Sequence, residues 1–179
     1  RLIMALESQI VQLLFAGITG GSIYALIALG FVVIHNVTGI INFAQGEFAM
    51  LGALIAITLS EKTAIFSRGM TVTLNLPVPI AILAAVAIVS LIGMVIYQFT
   101  IRTAKGASVV TLIIITIGAS ITLRGFALIT WSSDPFRLPN FTPGAPIQFM
   151  GAYLILQNFW VIGTTLVILV ALFFFFERT

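Results

Sequence analysis

Hydrophobic residues fall into five long runs separated by short polar segments. The runs cover residues 10–34, 42–59, 80–101, 109–130 and 154–176. A helix needs about 20 apolar residues to cross a hydrocarbon core of about 30 Å, and four of the runs are that long. The second run reaches 18 residues only when it begins at the polar Asn42. The pattern predicts an all-α, polytopic transmembrane helical bundle with about five spans, whose second helix starts at a polar N-cap motif.

The segments between the runs predict turns and loops. A polar break at residues 35–39 ends the first span, and a basic turn at residues 102–106 follows the third. Residues 60–79 predict a loop whose last prolines mark the start of the third helix. Residues 132–151 are rich in proline and predict an extramembrane loop with little helix. No soluble domain remains, so residues 1–179 are expected to form a single transmembrane domain.

Composition supports a membrane protein. Hydrophobic residues make up 60% and charged residues 7% of the 179 residues, whereas a soluble domain carries about 25% charged residues. The absence of cysteine removes disulfide, zinc-thiolate and thiol-nucleophile interpretations. The net charge of +3 is too small and too scattered to indicate nucleic-acid binding. No metal site and no cofactor are predicted.

Small residues follow one face of each of the first two helices. Gly17 and Gly21 form a GxxxG motif that Ala25 continues, and Gly52 lies on an alanine-rich edge of the second helix. Small residues let helix backbones approach closely in lipid. We interpret these four positions as helix-packing residues, and the two stripes together predict a tight hairpin of the first two helices.

The fourth span carries a polar stripe. Thr116, Ser120 and Arg124 recur every four residues, so they lie on one side of the helix. A charged residue within a span normally faces the bundle interior or an aqueous cavity. Arg124 also lies about 10 Å from Trp131, an interface position, and its side chain could reach that interface by snorkelling. Snorkelling explains the arginine but not the hydroxyls, and both the snorkelling and the interior-facing interpretations stay open.

Three polar residues stand at the start of the second helix. Asn42 is a favoured N-cap, and Gln45 three residues later could reach back to the cap amide, as in a capping box. Glu47 would lie where the helix dipole favours negative charge. A carboxylate within a span nevertheless costs about 2.5–3.5 kcal/mol, so it needs a basic partner, a proton or water. The candidates for a substrate path are therefore Asn42, Gln45, Glu47, Thr116, Ser120 and Arg124.

One short motif is similar to a catalytic element but lacks its partners. Gly118-Ala119-Ser120 is similar to the G-x-S of intramembrane serine proteases, yet Ile121 stands where the following glycine is expected. The only histidine, His35, lies in a predicted polar break. Without a nucleophile–base pair, the motif predicts packing, and no catalytic residue is assigned.

The polar start of the second helix is also part of a longer specific string. The residues are Gly21-Ser22-Ile23-Tyr24-Ala25-Leu26, Thr38-Gly39, Asn42-Phe43-Ala44-Gln45-Gly46-Glu47-Phe48 and Leu51-Gly52-Ala53. They resemble the permease subunit of branched-chain amino-acid ABC transporters (LivH-type). The likeness continues at Leu123-Arg124-Gly125 and at Glu177-Arg178-Thr179, and so covers nearly the whole chain. Family members often carry histidine where Gln45 stands, so a role for an imidazole does not transfer.

The resemblance implies a multi-pass inner-membrane permease, not an enzyme, that shares the translocation path with a second permease subunit. Two ATPase subunits would drive transport from the cytoplasm, and a periplasmic substrate-binding protein would deliver leucine, isoleucine or valine. Membrane lipid is the remaining partner. The loop that contacts the ATPases would lie beyond Thr179, so the permease domain is expected to be incomplete at its C-terminus, without the coupling loop and later helices.

Two other transport functions remain as alternatives. Urea and amide-type ABC importers use very similar permeases. A secondary carrier or passive channel could instead use Glu47 and Arg124 as ion or proton sites. Comparing the uptake of leucine with that of urea separates an amino-acid importer from a urea or amide importer. Transport without ATPase subunits that responds to a pH gradient would indicate a secondary carrier or channel.

Overall fold

The computed structural model describes residues 2–61, 63–65, 70–72, 74–104, 106–138, 140–142, 144–149 and 151–178. The five helices are α1 Leu2–Thr38, α2 Gln45–Ser60, α3 Val78–Ile96, α4 Val109–Trp131 and α5 Leu156–Arg178, and α3 continues into a π-helical segment, Tyr97–Ile101. Among the described residues, four helices are long and apolar enough to cross a membrane, and α2 is a shorter apolar helix. The predicted polytopic helical membrane bundle is confirmed.

Helix α1 extends past the predicted polar break. Its last residue is Thr38, whose hydroxyl donates to the Ile34 carbonyl at 2.7 Å. The helix ends at Gly39, which has a φ of +68° and donates its N–H to the His35 carbonyl. Glycine adopts this left-handed conformation without a steric penalty. The predicted end at residue 34 was therefore wrong, because polar side chains that remain exposed at the helix surface do not break the helix, whereas the glycine does.

Two short antiparallel hairpins occupy segments that were predicted as loops. Strand β1 Thr63–Ile65 pairs with β2 Met70–Val72, and β3 Ile147–Phe149 pairs with β4 Ala152–Leu154. The described residues between 132 and 151 contain no helix, as predicted, but the sequence did not indicate their pairing. The cations Lys62, Arg68 and Lys105 lie outside the described residues.

The chain divides into two compact units. Unit 2, residues 30–139, holds the main core, in which α2 packs chiefly against α3 and also against α4. Ala81 and Ala85 are buried and bring α3 close to its neighbours. Glycines complete this contact, since an added methyl at Gly52 would lie 3.9 Å from Val89 and one at Gly93 would lie 3.8 Å from Phe48. Small residues thus lie along the α2–α3 contact.

Unit 1 comprises residues 1–29 and 140–179. Its aromatic contacts include the rings of Phe15 and Phe159, whose centroids are 5.4 Å apart. The Trp160 indole N–H donates to the Thr142 hydroxyl at 3.0 Å. Most of the α5 surface is apolar and exposed, as expected for a helix that faces lipid or other membrane-embedded protein.

Candidate functional site

Helix α2 runs parallel to α4 but begins deeper in the bundle. The segment just before α2 contacts Thr116, the eighth residue of α4, while Thr58 near the end of α2 contacts Trp131, the last residue of α4. At about 1.5 Å per residue, α2 therefore starts about 10 Å along α4. Its 16 residues span about 24 Å, which is too short for a full crossing. The non-helical backbone at residues 41–44 thus lies at membrane depth beside Thr116.

The polar residues before α2 form a turn instead of the predicted cap. Helix α2 begins at Gln45, its N-cap position is Ala44, and no side chain caps it from there. The Asn42 side-chain oxygen accepts the Ala44 N–H at 3.1 Å, and the Asn42 carbonyl accepts the Gln45 N–H at 3.3 Å. The predicted helix start at Asn42 and the capping box with Gln45 were wrong, because asparagine bonds the backbone two residues on as readily as it caps a helix.

Thr116 fastens the non-helical segment to α4. Its hydroxyl accepts the Phe43 N–H at 3.4 Å and lies 3.3 Å from the Ile41 carbonyl and 2.9 Å from the Ile113 carbonyl, to which it can donate. The residue is 2% exposed. Backbone polar groups have no water partner in a bilayer core, so this buried hydroxyl satisfies groups that would otherwise remain unpaired.

Glu47 and Arg124 form an ion pair between α2 and α4. The guanidinium Nη2 donates to the carboxylate Oε1 at 2.5 Å, and the Ser120 side chain interacts with the same carboxylate. Helical side chains tilt toward the N-terminus of their helix, so Arg124 extends back toward Ser120, one turn earlier. The Glu47 side chain is 8% exposed and that of Arg124 is 65% exposed. The predicted need of Glu47 for a basic partner is thus met.

A cavity of about 320 Å³ lies at the start of α2 within unit 2. Asn42, Gln45 and Thr116 contribute to its polar lining, and the apolar wall comes mainly from α2, α3 and α4, with Ile34 of α1. Three other wall residues carry hydroxyls that donate to carbonyls of their own helices: Thr38, Ser90 and Thr100. These hydroxyls are already satisfied, so the wall is largely apolar in character.

The Gln45 side-chain amide makes no hydrogen bond within the described part of the chain, unlike the wall hydroxyls of Thr38, Ser90 and Thr100. The amide lies over Gly30 of α1, where an added methyl would be 2.6 Å from the Gln45 Nε2 atom. Only a glycine at this position leaves the amide where it is. An amide without a hydrogen-bond partner among the described residues therefore lies at the wall of the cavity.

The structure separates the six candidate path residues into two groups. Asn42, Gln45 and Thr116 line the cavity. Glu47, Ser120 and Arg124 form the ion-pair cluster, which is not part of the cavity wall. Two residues along a helix are rotated by about 200° at about 3.6 residues per turn. Gln45 and Glu47 therefore lie on different sides of α2, which accounts for this division.

The proposed packing residues also divide. Gly52 lies in the α2–α3 contact. Around Gly17 and Gly21, an added methyl would meet no described atom within 4 Å, and Ala25 is exposed. A packing role for these three residues of α1 stays a prediction.

Two features of the site were missed from the sequence. Gly30 gave no signal, since its neighbour Gln45 is fifteen residues away along the chain. Trp131 was interpreted as an interface residue, but it is 7% exposed and its indole N–H donates to Thr58 at 2.7 Å. A threonine within an apolar run and a tryptophan at the end of another could have indicated such a pair.

Comparison with known proteins defines the family. Residues 13–179 match the family described as "Branched-chain amino acid transport system / permease component". The chain belongs to this family. The family is one of transport permeases and is not enzymatic, and the predicted absence of catalytic function is confirmed on that ground. Bacterial relatives of this permease chain are inner-membrane proteins, so the predicted location in the inner membrane is confirmed as well.

Curated relatives carry related descriptions. The high-affinity branched-chain amino acid transport system permease protein BraD of Pseudomonas aeruginosa is 35% identical over 140 residues, covering 74% of this permease chain and 42% of BraD. LivH of Escherichia coli K12 and LivH of Salmonella typhimurium, described in the same terms, are each 32% identical over 133 residues with the same coverage. The chain thus spans less than half the length of these relatives. No solved structure matches it.

Proposed function

We propose that this chain forms part of the translocation path of an ABC importer that carries branched-chain amino acids across the inner membrane. Membership of the permease family supports the transport function, and the printed descriptions of BraD and LivH support the substrate class. The substrate passes close to the start of α2.

The observation that carries this proposal is the break in helical structure at residues 39–44. Irregular backbone at membrane depth is tolerated where it is buried in protein or lines a cavity. In many transporters, substrate sites are built where helices are interrupted. Here the segment is held by Thr116 and borders the 320 Å³ cavity, and small-molecule sites have volumes of about 300–1,000 Å³.

The cavity lining favours an aliphatic cargo over urea. Urea has polar atoms on every side and would need several hydrogen-bonding groups around it, whereas most wall hydroxyls already bond their own helices. An aliphatic side chain needs only apolar contact. The Glu47–Arg124 pair is mutually satisfied, which leaves neither charge free to act as the ion site of a secondary carrier.

Transport requires partners that supply energy and deliver the substrate. Nothing in the described residues resembles a nucleotide-binding loop, and we assign ATP hydrolysis to two separate ATPase subunits. A second permease subunit completes the path, and a periplasmic binding protein delivers the amino acid. The largely apolar, exposed surfaces of α1 and α5 are available to lipid and to such membrane-embedded partners.

Uptake by the assembled transporter tests this function. Cells that lack their own branched-chain uptake systems receive the full permease, its partner permease, the ATPases and the binding protein. We expect ATP-dependent uptake of radiolabelled leucine, isoleucine and valine, and no uptake of urea.

A transporter with inactive ATPases provides the matched control and should take up none of the three amino acids. Urea uptake without leucine uptake would overturn the substrate class. Leucine uptake that persists with the inactive ATPases and follows a pH gradient would overturn the ABC mechanism.

A further inference from the structure

We propose that the cavity at the start of α2 is an amino-acid transit site, in which the Gln45 amide binds the polar end of the substrate and Ala119 and Gly93 set the size of the side chain that passes. This inference rests on the proposed import function and adds a specificity-determining role for the membrane subunit itself.

The Gln45 amide supplies a hydrogen-bonding group to the polar part of the site. It is half-buried at the cavity wall and makes no hydrogen bond within the described residues. A carboxamide presents both donors and an acceptor, so it can pair with either the carboxylate or the ammonium group of an amino acid. These groups are common to every amino acid, and Gln45 therefore contributes to binding of all of them equally.

The apolar half includes side chains from α2, α3 and α4. Phe48 of α2, Val89 of α3 and Ile115 of α4 line the cavity, together with Ala119 and Gly93. Ala119 and Gly93 are, with Ala44, the smallest residues of this wall, and on α4 and α3 they leave room that a larger side chain would fill. The site therefore offers an apolar surface to the aliphatic end of the substrate and a free amide to its polar end.

Size discrimination follows from this arrangement. One methylene more or fewer in an apolar pocket changes discrimination between substrates by about 10–200-fold. Leucine is one methylene longer than valine. Enlarging Ala119 should thus exclude leucine before it excludes valine, whereas removing the Gln45 amide should weaken both alike.

The experiment compares the ratio of initial leucine and valine uptake rates in the assembled transporter, with the binding protein unchanged and saturated with each substrate. Ala119→Leu should lower the leucine-to-valine ratio about 10-fold. Gln45→Leu should lower both rates and leave the ratio unchanged. Ala87→Leu, at an exposed α3 position outside the cavity, and Gln12→Leu, at an exposed α1 position, are the matched controls and should leave the rates and the ratio unchanged.

The ratio is insensitive to the amount of folded protein, so partial misfolding does not imitate the expected result. If Ala119→Leu does not accumulate, Ala119→Val and Gly93→Ala make smaller changes, and the methyl of Gly93→Ala would meet Phe48 only at ordinary contact distance. If the leucine-to-valine ratio is unchanged in every Ala119 and Gly93 variant that accumulates, while wild-type uptake of leucine proceeds, the transit site is overturned and the import function still stands. Absence of leucine uptake in the wild-type transporter defeats the import function itself.

Discussion

The Arg124 guanidinium pairs with the Glu47 carboxylate, although the carboxylate is buried and the guanidinium is largely exposed. The two charges therefore depend on each other unequally. Without Arg124, a carboxylate would remain buried with only Ser120 as a side-chain partner. Without the Glu47 charge, the guanidinium would remain largely outside the protein core. The pair holds the first turn of α2 against α4.

This inequality predicts different effects of the two single substitutions. Removing the partner of a buried charge is destabilising because it leaves that charge uncompensated, and Arg124→Gln does so to the buried Glu47 carboxylate. Glu47→Gln removes the buried charge itself and keeps the size and hydrogen-bonding capacity of the side chain. We expect Arg124→Gln to lower the thermal unfolding midpoint of the detergent-purified transporter much more than Glu47→Gln does.

The double variant, Glu47→Gln with Arg124→Gln, is the matched control. It carries no buried carboxylate, and we expect it to recover most of the stability that Arg124→Gln loses. Equal destabilisation by the two single variants, with no recovery in the double variant, would show that the buried carboxylate is not what Arg124 stabilises.

Thr116 predicts a stability effect that depends on its hydroxyl and not on its shape. Thr116→Val keeps the volume but leaves the Phe43 N–H without its partner, and a backbone group that no water can satisfy costs about 1–3 kcal/mol when unpaired. Thr116→Ser keeps the hydroxyl and should stay close to wild type. The unfolding midpoint of the purified transporter measures both.

Thr122→Val is the control for this prediction, since the Thr122 hydroxyl is exposed and donates only to the Gly118 carbonyl of its own helix. It should be nearly neutral. If Thr122→Val and Thr116→Val destabilise equally, the contact of Thr116 with residues 41–43 contributes nothing specific.

Gly30 predicts a loss of transport without a loss of protein. The methyl of Gly30→Ala would displace the Gln45 amide, which is the far end of a flexible side chain and can move. Alanine is also the better helix former by about 0.5–1 kcal/mol. We expect normal protein amounts, lower uptake of leucine and valine alike, and an unchanged ratio of the two.

Gly20→Ala is the control for this prediction. Gly20 lies on the same helix as Gly30, but a methyl added there meets no described atom within 4 Å. It should transport normally. Equal uptake in the Gly30→Ala and wild-type transporters would mean that the position of the Gln45 amide does not matter for transport.

The helices were predictable because their physical cause is local. Long apolar runs cross a membrane whatever surrounds them, and α3, α4 and α5 begin and end within a few residues of the predicted positions. The end of α1 and the start of α2 were misplaced because polar residues there had two uses. Asn42 could cap a helix or close a turn, and only the contact of the following backbone with Thr116 decides between them.

The candidate site was predictable in its residues and not in its arrangement. A carboxylate and an arginine in membrane spans had to find partners, and the structure pairs Glu47 with Arg124. Helical spacing turns Glu47 about 200° away from Gln45, but the sequence could not show that a cavity lies on the Gln45 side, because that depends on how α2 lies between α3 and α4. Gly30 could not be recognised for the same reason, since its effect arises from a contact between separate helices.

The most direct measurement of the central claim, that substrate passes the start of α2, uses a single thiol in the cavity wall. The 179 residues contain no cysteine, and Ser90→Cys places a nearly isosteric thiol in that wall. Ser22→Cys is the control, because the Ser22 and Ser90 hydroxyls both donate to a carbonyl one turn earlier in their helices. Thiols react as thiolates, so a water-soluble maleimide reports hydrated positions.

During ATP-driven turnover we expect leucine and valine to slow the labelling of Ser90→Cys, and urea to have no effect on it. None of the three compounds should change the labelling rate of Ser22→Cys. Leucine uptake that proceeds while the labelling rate of Ser90→Cys is unchanged by leucine would contradict the account.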